Sequence, residues 1–144
     1  MEITQLTNIT ATDAQAIYNL SNQLGYANYL NLLSARLKTI ITLKDHAIFV
    51  ARVDDKIVGW LHCLVCFRVE SELFVEVTGL VVDGNIRGQQ IGKNLIEASK
   101  NWSSGQHISL LRVRCNVMRT ESHQFYRALG FSSNKEQKVF ELSL

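Results

Sequence analysis

The segment that most strongly limits the possible folds of this chain is residues 80–98. It reads LVVDGNIRGQQIGKNLIEA: an apolar run, a short polar loop and then apolar residues at helical spacing. Three of the chain's 8 glycines, Gly84, Gly88 and Gly92, stand here at four-residue intervals. The first N–H groups of a helix have no intrahelical partner, and glycine lets a ligand approach the backbone closely. With the guanidinium of Arg87 beside it, this strand–loop–helix unit predicts an anion site.

The hydrophobic pattern along the chain predicts elements in the order β, α, α, β, β, β, α, β, α, β. The predicted strands cover 2–7, a hairpin within 46–69 that turns at residues 54–56, then 72–82, 108–117 and 138–144. The predicted helices run from a cap at Thr12 or Asp13 to Gly25, over 28–43, along a stripe of Ile91, Leu95, Ala98 and Trp102, and over 120–129 up to Gly130.

Two features of this pattern refine the expected architecture. Gly79 inside a strand predicts a bulge or a close backbone approach. An antiparallel first half followed by alternating strands and helices predicts an α/β (α+β) fold. Its central mixed sheet is expected to carry helices on both faces.

Composition and charge narrow the class of protein. A chain of 144 residues, 47% of them hydrophobic, predicts one domain over 1–144 with a real core. A net charge of +2 without a basic run argues against a nucleic-acid partner. No apolar stretch reaches the ~18 residues of a membrane span, so no membrane partner is expected. The polar N-terminus lacks the pattern of a signal peptide, and the odd number of cysteines fits a reducing cytoplasm.

The loop does not match two known phosphate-binding motifs. A P-loop would need glycine at Arg87 and Ser or Thr at Asn94, and the dinucleotide pattern GxGxxG is absent. The stretch Arg87–Gly92, RGQQIG, instead resembles motif A of the GNAT superfamily of acyl-CoA N-acyltransferases, Gln/Arg-x-x-Gly-x-Gly/Ala. Gln90 stands where the first signature glycine usually lies, and it keeps the backbone path if its φ is negative.

A second block, residues 114–131, resembles motif B of the same superfamily. It carries a strand-end Asn116, the Phe125-Tyr126 pair on a helix, and Gly130 followed by Phe131. The resemblance covers nearly the whole chain, and in finer detail it points to a small subgroup similar to aminoglycoside 6'-N-acetyltransferases. It implies acetyl-CoA as co-substrate and no metal. The cofactor-binding residues that it implies are Leu80, Val81, Val82, Arg87, Gly88, Gln89, Gln90, Ile91, Gly92, Lys93, Asn116 and His123.

The resemblance also implies a reaction. An N-acetyltransferase would transfer the acetyl group to a primary amine of a small molecule or peptide by direct attack. Glu76 would be the base, directly or through water, with Glu72 or a water chain as competitors and a solvated strand face as the alternative reading. Tyr126 would protonate the leaving thiolate, or else be a core aromatic residue. Asn116 could equally cap a helix, and His123 could make a structural hydrogen bond.

The acceptor and the assembly stay open. Tyr26, Trp60 and Glu72 are the candidates for the acceptor pocket, and the acceptor could be an aminoglycoside, a polyamine, an amino acid or a peptide amine. A different class of function is a non-catalytic acyl-CoA-binding sensor or regulatory module with the same fold. The apolar segment 138–144 could pair across a homodimer. The Cys63-x-x-Cys66 pattern lies within a strand, where its thiols point to opposite faces, so we expect no metal site there.

Overall fold

The computed structural model of the chain describes residues 1–23, 29–86, 89–115 and 117–144. The chain divides into two compact units, Met1–Val113 and Arg114–Leu144. The elements are β1 (Glu2–Gln5), α1 (Ala11–Gln23), α2 (Leu30–Ile40), β2 (His46–Val53), β3 (Lys56–Arg68), β4 (Ser71–Val82), α3 (Ile91–Gly105), β5 (Leu111–Val113) and α4 (Thr120–Ala128). The predicted order is confirmed up to the last helix.

The first unit is built on one mixed sheet of five strands in the order β1-β2-β3-β4-β5. Neighbours are antiparallel except β4 and β5, which are parallel. Asp54 and Asp55 form the turn between β2 and β3, and both have positive φ, at 50° and 63°. Such a two-residue turn matches the right-handed twist of the strands, which is why the predicted hairpin closes here.

Successive side chains of β3 point to opposite faces of the sheet. A Cβ at Gly59 would lie 3.1 Å from Ile91 and 3.3 Å from Leu95, so this face packs against α3 and is called the α3 face below. Trp60 points the other way and packs against a core cluster that includes Ile17 of α1 and Leu37 of α2. This is the α1–α2 face. The predicted mixed sheet with helices on both faces is therefore confirmed.

The helix starts and faces differ in detail from the predictions. Helix α1 is capped by Thr10, whose hydroxyl accepts from the N–H of Asp13 at 3.0 Å while the Asp13 carboxylate accepts from the N–H of Thr10 at 3.2 Å. The cap predicted at Thr12 or Asp13 was wrong, because this reciprocal pair places the helix start at Ala11. The buried residues of α3 are Ile91, Leu95, Ile96, Ser99 and Ser103, so its packed face is rotated away from the predicted stripe.

The second unit contains α4, which ends as predicted. Gly130 has φ +97°, its N–H donates to the carbonyl of Arg127 at 3.0 Å, and the N–H of Phe131 donates to the carbonyl of Tyr126 at 3.0 Å. These two bonds satisfy carbonyls that a helix end otherwise leaves open. Glycine is needed here because the left-handed φ is costly for other residues.

Two predicted strands are corrected. The strand predicted over 108–117 is limited to Leu111–Val113, and residues 138–144 form no strand and are exposed. The alternation in 138–144 matched a strand pattern, but a strand forms only where a neighbouring backbone pairs with it, and the pattern does not specify one. The segment on which the predicted homodimer contact depended is thus irregular. None of the described helices is long and apolar enough to cross a membrane.

Candidate active site

Strand β4 has an edge that extends past the end of its parallel neighbour. Among the described residues, β5 pairs with β4 only along Val75–Val77. Beyond that point β4 continues to Val82, and the N–H of Asp83 donates to the carbonyl of Val58 on the β3 side at 2.8 Å. Because N–H groups alternate along a strand, those of Leu80 and Val82 point to the open edge, and that of Val81 points to β3. Two backbone donors therefore face the gap beside β5.

The bulge predicted at Gly79 lies just before this edge. The register between β3 and β4 shifts between His62 and Cys63, which leaves Thr78 as the extra residue of β4. A Cβ at Gly79 would lie 2.7 Å from two ring carbons of Trp60, so the indole ring occupies the space that any other residue would need. Both predictions for Gly79, a bulge and a close approach, are confirmed. The Nε1 atom of Trp60 is buried and has no hydrogen-bond partner among the described residues.

The loop after β4 is held by an aspartate. The Asp83 carboxylate accepts from the backbone N–H of Asn85 at 3.0 Å, and the side-chain amide of Gln23 accepts from the N–H of Gly84 at 3.2 Å. Gln23 is the last residue of α1, so the loop is tied to that helix. These bonds fix the direction in which the chain leaves the sheet towards α3.

The start of α3 carries Gln90 in a left-handed conformation, with φ 53° and ψ 34°. We expected Gln90 to keep the backbone path of the motif only with a negative φ, and the structure shows a positive one. The glutamine adopts the left-handed conformation that a glycine usually supplies at this position. Its carbonyl accepts from the N–H of Asn94 at 3.0 Å. The first turn of α3 contains no acidic residue, and Lys93 is exposed there. The N–H groups of a first helical turn have no intrahelical partner, and together with the helix dipole they make this end electropositive.

A cavity of about 170 Å³ lies on the α1–α2 face. Most of its wall is aliphatic, with Trp60 as the aromatic residue and Arg36 and His62 as the polar residues. The aliphatic lining residues are Ile17, Leu33, Leu37, Ile40 and Ile48. No carboxylate belongs to the wall as far as the described part of the chain defines it.

His62 connects this cavity to a chain of hydrogen-bonding groups. Its Nε2 atom lies 3.0 Å from Nδ1 of His46, and its Nδ1 atom lies 3.0 Å from the hydroxyl oxygen of Thr78. The two imidazole rings are nearly parallel, with an interplanar angle of 22° and centroids 5.2 Å apart. Burial, and secondarily the charge of His46, lower the pKa of His62 to about 4, so the ring is neutral at ordinary pH.

Glu76 lies on the same face of β4. It is opposite Leu64 on β3 and Arg112 on β5, and its carboxylate is 3.9 Å from the guanidinium of Arg68. Its side chain is only 13% exposed. The interpretation of Glu76 as a freely solvated strand residue is therefore wrong, since it is largely covered and accompanied by a cation. Glu72, its predicted competitor, is exposed near the start of the strand.

In the second unit, Tyr126 is half-buried on α4. Its ring is in edge contact with Phe125 at 5.1 Å and with Phe131 at 5.6 Å between centroids. His123 lies on the same helix and is also half-buried. Tyr126 is thus part of an aromatic cluster within its unit, and this packing is compatible with either reading of its role.

The remaining predicted residues fall into two groups. Tyr26, Arg87, Gly88 and Asn116 lie outside the described residues. Of the others in the motif, Gln89 is exposed, Gly92 is half-buried, and the Ile91 side chain belongs to the core beside Gly59. Within the described ranges, no group of three or more His, Cys, Asp or Glu residues is placed to hold a metal ion.

Sequence reasoning missed His46 and Thr78 as partners of His62. A signal was present in the hairpin, whose turn pairs Val53 with Lys56. Continuing this pairing away from the turn, one residue at a time on each strand, places His46 opposite residue 63. A register shift after Ala51 moves the partner of His46 to Leu64, on the same face as His62. The approximate position of His46 opposite β3 could be counted from the turn. The bulges that decide which side chains share a face of the sheet could not.

Several known proteins are similar to this chain over nearly its whole length. A relative, the aminoalkylphosphonate N-acetyltransferase of Salmonella typhimurium, is 24% identical over 145 aligned residues that cover 93% of this chain and 88% of that protein. An aminoglycoside antibiotic 6'-N-acetyltransferase from Acinetobacter haemolyticus has a TM-score of 0.85 at 16% identity, covering 100% of this chain and 99% of that one. An aminoglycoside N-acetyltransferase solved in complex with CoA has a TM-score of 0.85 at 20% identity, covering 99% and 95%.

The two solved structures share the fold of this chain, and the family match goes further. The family described as "Acetyltransferase (GNAT) family" matches residues 14–131, which is most of the chain and includes both the β4 edge and α4. The chain therefore belongs to the acetyltransferase (GNAT) family and is an acetyl-CoA-dependent N-acetyltransferase.

Proposed function

We propose that the protein acetylates the primary amine of a compact small molecule by direct attack of the amine on the thioester of acetyl-CoA. The observation that carries this proposal is the open edge of β4, where the N–H groups of Leu80 and Val82 face the gap beyond the end of β5. Such donors suit the amide groups of a pantetheine arm. One of them is also suited to stabilise the oxyanion that forms when the amine attacks.

The residues around the start of α3 fit the diphosphate of CoA. The helix offers N–H groups without intrahelical partners, the first turn has no acidic side chain, and Lys93 is exposed there. The left-handed backbone of Gln90 supports the reading of RGQQIG as a phosphate loop, because a glycine is usual at this position of the motif. We assign Arg87, Gly88, Gln89 and Gly92 to the same role on the strength of the motif.

We propose Glu76 as the base. A free amine titrates near ~10, so the nitrogen must lose protons on its way to an amide. Glu76 lies on the face of β4 that carries Trp60 and His62 across on β3, and both of these line the cavity. Its small exposure supports a role inside the site rather than at the surface. A water molecule between Glu76 and the amine serves equally well.

Tyr126 is our candidate for the acid that protonates the leaving thiolate. The family match spans both units, which supports assigning residues of α4 and β4 to one catalytic domain over 1–144. The phenol is half-buried beside Phe131, an environment in which a hydroxyl group needs a hydrogen-bonding partner. Asn116 and His123 are proposed to contact the cofactor, in line with motif B.

The acceptor is proposed to be a compact amine with an acidic or uncharged body. The cavity of about 170 Å³ is small, and the charged residue in its described wall is a cation, Arg36. Two further guanidinium groups, those of Arg68 and Arg112, lie 5.0 Å and 4.1 Å from the ring centroid of Phe74, beside Glu76 on the same strand. A polycation such as an aminoglycoside would meet this charge unfavourably. An aminoalkylphosphonate, the substrate class named for the relative from Salmonella, is the better match.

The test combines calorimetry with CoA and a thiol-release assay with acetyl-CoA. The amine panel contains an aminoalkylphosphonate, neutral and acidic amino acids, a polyamine, an aminoglycoside and a short peptide. We expect CoA binding and thiol release that is fastest with the acidic amines. Release that is fastest with the aminoglycoside would contradict the proposed acceptor. CoA binding without release from any amine would favour an acyl-CoA sensor, and no CoA binding would contradict the assignment of the β4 edge.

A further inference from the structure

We propose that Thr78, His62 and His46 form a proton relay that carries the ammonium proton of the bound acceptor from the bulge of β4 to the protein surface beside Asp45. The relay rests on the proposed function, because it supplies a route for a proton that the same reaction must release.

The hydrogen-bond contacts run without a break from Thr78 to His46, and Asp45 lies just beyond them. The Thr78 hydroxyl lies 3.0 Å from Nδ1 of His62, and Nε2 of His62 lies 3.0 Å from Nδ1 of His46. The second nitrogen of His46, Nε2, lies 4.0 Å from the exposed carboxylate of Asp45. The side chain of His46 is 21% exposed, so water reaches this end. Each nitrogen of His62 is thus joined to a group that both donates and accepts protons.

The inner end of the series opens towards the reaction site. Thr78 is the extra residue of the bulge and is exposed, so its hydroxyl is accessible to a bound molecule. It lies on β4 between Glu76, the proposed base, and Leu80, whose N–H faces the open edge. His62 itself lines the cavity assigned to the acceptor. An amine placed to attack a thioester at this edge has Thr78 as its neighbour.

The stoichiometry of the reaction requires a route of this kind. An acceptor amine enters mainly as the ammonium, with three protons on nitrogen, and the amide product keeps one. One of the two lost protons ends on the sulfur of CoA, and the other leaves for solvent. We assign the proton that leaves before attack to the relay, and the proton lost as the C–N bond forms to Glu76.

The proton movements balance without an added reactant. The ammonium gives a proton to the Thr78 oxygen as the hydroxyl proton passes to Nδ1 of His62. Nε2 of His62 passes its proton to Nδ1 of His46, and Nε2 of His46 releases one to water or Asp45. Afterwards Thr78 can donate to the carbonyl of His62, which lies 3.2 Å from its hydroxyl oxygen. Rotation of the hydroxyl restores Thr78, and each ring regains its starting tautomer by losing its Nδ1 proton to water while its Nε2 takes a proton from water, so the net outward transfer is kept.

The charges around the rings suit transfer through neutral imidazoles. Burial and the charge of His46 lower the pKa of His62 to about 4, so this ring does not hold a positive charge at neutral pH. The charged and titratable groups near the two rings are Asp45 in the turn before β2, Arg36 of α2, which lines the same cavity as His62, and Glu76 on the same face of β4. Asp45 lies near His46, where the proton leaves.

The experiment compares Thr78→Val, which keeps the shape but removes the hydroxyl, with Thr78→Ser, which restores the hydroxyl. His62→Asn and His46→Asn interrupt the later steps. His107→Asn is the control, because His107 is an exposed residue after α3 whose left-handed φ of 58° asparagine tolerates. The measured quantity is kcat/KM across pH 6 to 10 with the fastest amine, alongside CoA affinity by calorimetry.

We expect Thr78→Val, His62→Asn and His46→Asn to lower kcat/KM at pH 7 by about tenfold or more, with CoA affinity unchanged. The loss should shrink as pH approaches the pKa of the amine, because an acceptor that is already neutral needs no relay. Thr78→Ser should recover most of the activity, and His107→Asn should match the wild type.

A loss that is equal at every pH, or no loss at all, would overturn the relay and leave the proposed function intact. A wild type that acetylates no amine would contradict the proposed function itself and remove the reaction that the relay serves. The two failures are therefore distinguished by the wild-type rate alone.

Discussion

On the α3 face the buried side chains of β3, β4 and α3 are nearly all aliphatic, whereas the α1–α2 face places histidine, threonine and carboxylate groups beside its aliphatic core. The α3 face includes Leu61, Val75, Val77, Leu95 and Ile96, which are 0–1% exposed. Its polar groups are satisfied locally: the hydroxyls of Ser99 and Ser103 donate to carbonyls of their own helix. Burial raises the pKa of Cys63 on this face to about 12, so the thiol stays protonated.

The α1–α2 face is packed less completely. It contains a cavity, a hydrogen-bonded pair of histidines and the buried Nε1 of Trp60, which has no partner in the described part of the chain. The difference suits a division of tasks across one sheet: the α3 face holds the fold together, and the opposite face is the one to which we assign the chemistry.

The largest effect should come from Leu95→Ala on the α3 face. Leu95 is fully buried, and removing its side chain leaves a cavity that a close-packed interior fills only in part. We expect the free energy of unfolding to fall by about 2–5 kcal/mol, measured by urea denaturation. The kcat of the molecules that remain folded should stay close to the wild-type value.

Leu32→Ala is the matched control, because Leu32 is a helical leucine that is 51% exposed on α2. Its effect on stability should stay within about 0.5 kcal/mol. The comparison of the two faces would break if Leu95→Ala lowered kcat of the folded protein as strongly as it lowered stability.

The reciprocal change is Glu76→Gln on the α1–α2 face. It keeps the size of the side chain but removes the carboxylate, so kcat should fall by about 100-fold or more while the denaturation curve moves little. Glu97→Gln is the control: Glu97 pairs with Lys100 at 2.9 Å on α3, and its loss should leave kcat unchanged. Equal rates for wild type and Glu76→Gln would remove Glu76 from the mechanism.

The sequence predicted the elements of both faces better than the contacts between them. Helical spacing and the hairpin turn at Asp54-Asp55 are local signals, and the order and type of the elements followed from them. The relay pairs His46 with His62 across a hairpin whose register depends on a bulge, and a bulge depends on packing between distant strands. The strand predicted over 138–144 does not form for a related reason: its alternating pattern does not specify a neighbouring strand with which it could pair.

Asp13→Asn tests whether every buried charge on the α1–α2 face is catalytic. Burial alone would raise the pKa of Asp13, but hydrogen bonds from Thr10 and Arg52 and the charge of Arg52 lower it below its usual 3.8. The folded state then binds fewer protons than the unfolded chain. The carboxylate therefore stabilises the fold above about pH 3.8, and this contribution is lost as pH falls through the lowered pKa.

We expect Asp13→Asn to lower the free energy of unfolding at pH 7 by about 1–3 kcal/mol and to leave kcat unchanged. The gap to wild type should narrow below the usual carboxyl pKa, as measured by denaturation at pH 7 and pH 3. Asp55→Asn, in the exposed hairpin turn where asparagine tolerates the positive φ, is the control. A gap that stays constant with pH would mean that the charge of Asp13 does not stabilise the fold.

The smallest effect, and the finest test of the division between the faces, concerns Gln90 at the start of α3. Its left-handed φ of 53° costs a residue with a Cβ about 1 kcal/mol relative to glycine, and its side chain is exposed, so little packing is lost on truncation. Gln90→Gly removes that strain but adds freedom to the unfolded chain, so we expect a net gain of at most about 1 kcal/mol. Gln90→Ala keeps the Cβ and should give no gain.

Because Gln90 begins the helix of the stabilising face at the point where CoA is proposed to bind, Gln90→Gly should also bind CoA at least as tightly as wild type by calorimetry. Weaker CoA binding by Gln90→Gly than by Gln90→Ala would mean that the glutamine holds the loop in a way that glycine does not, and that the left-handed backbone alone does not explain the motif.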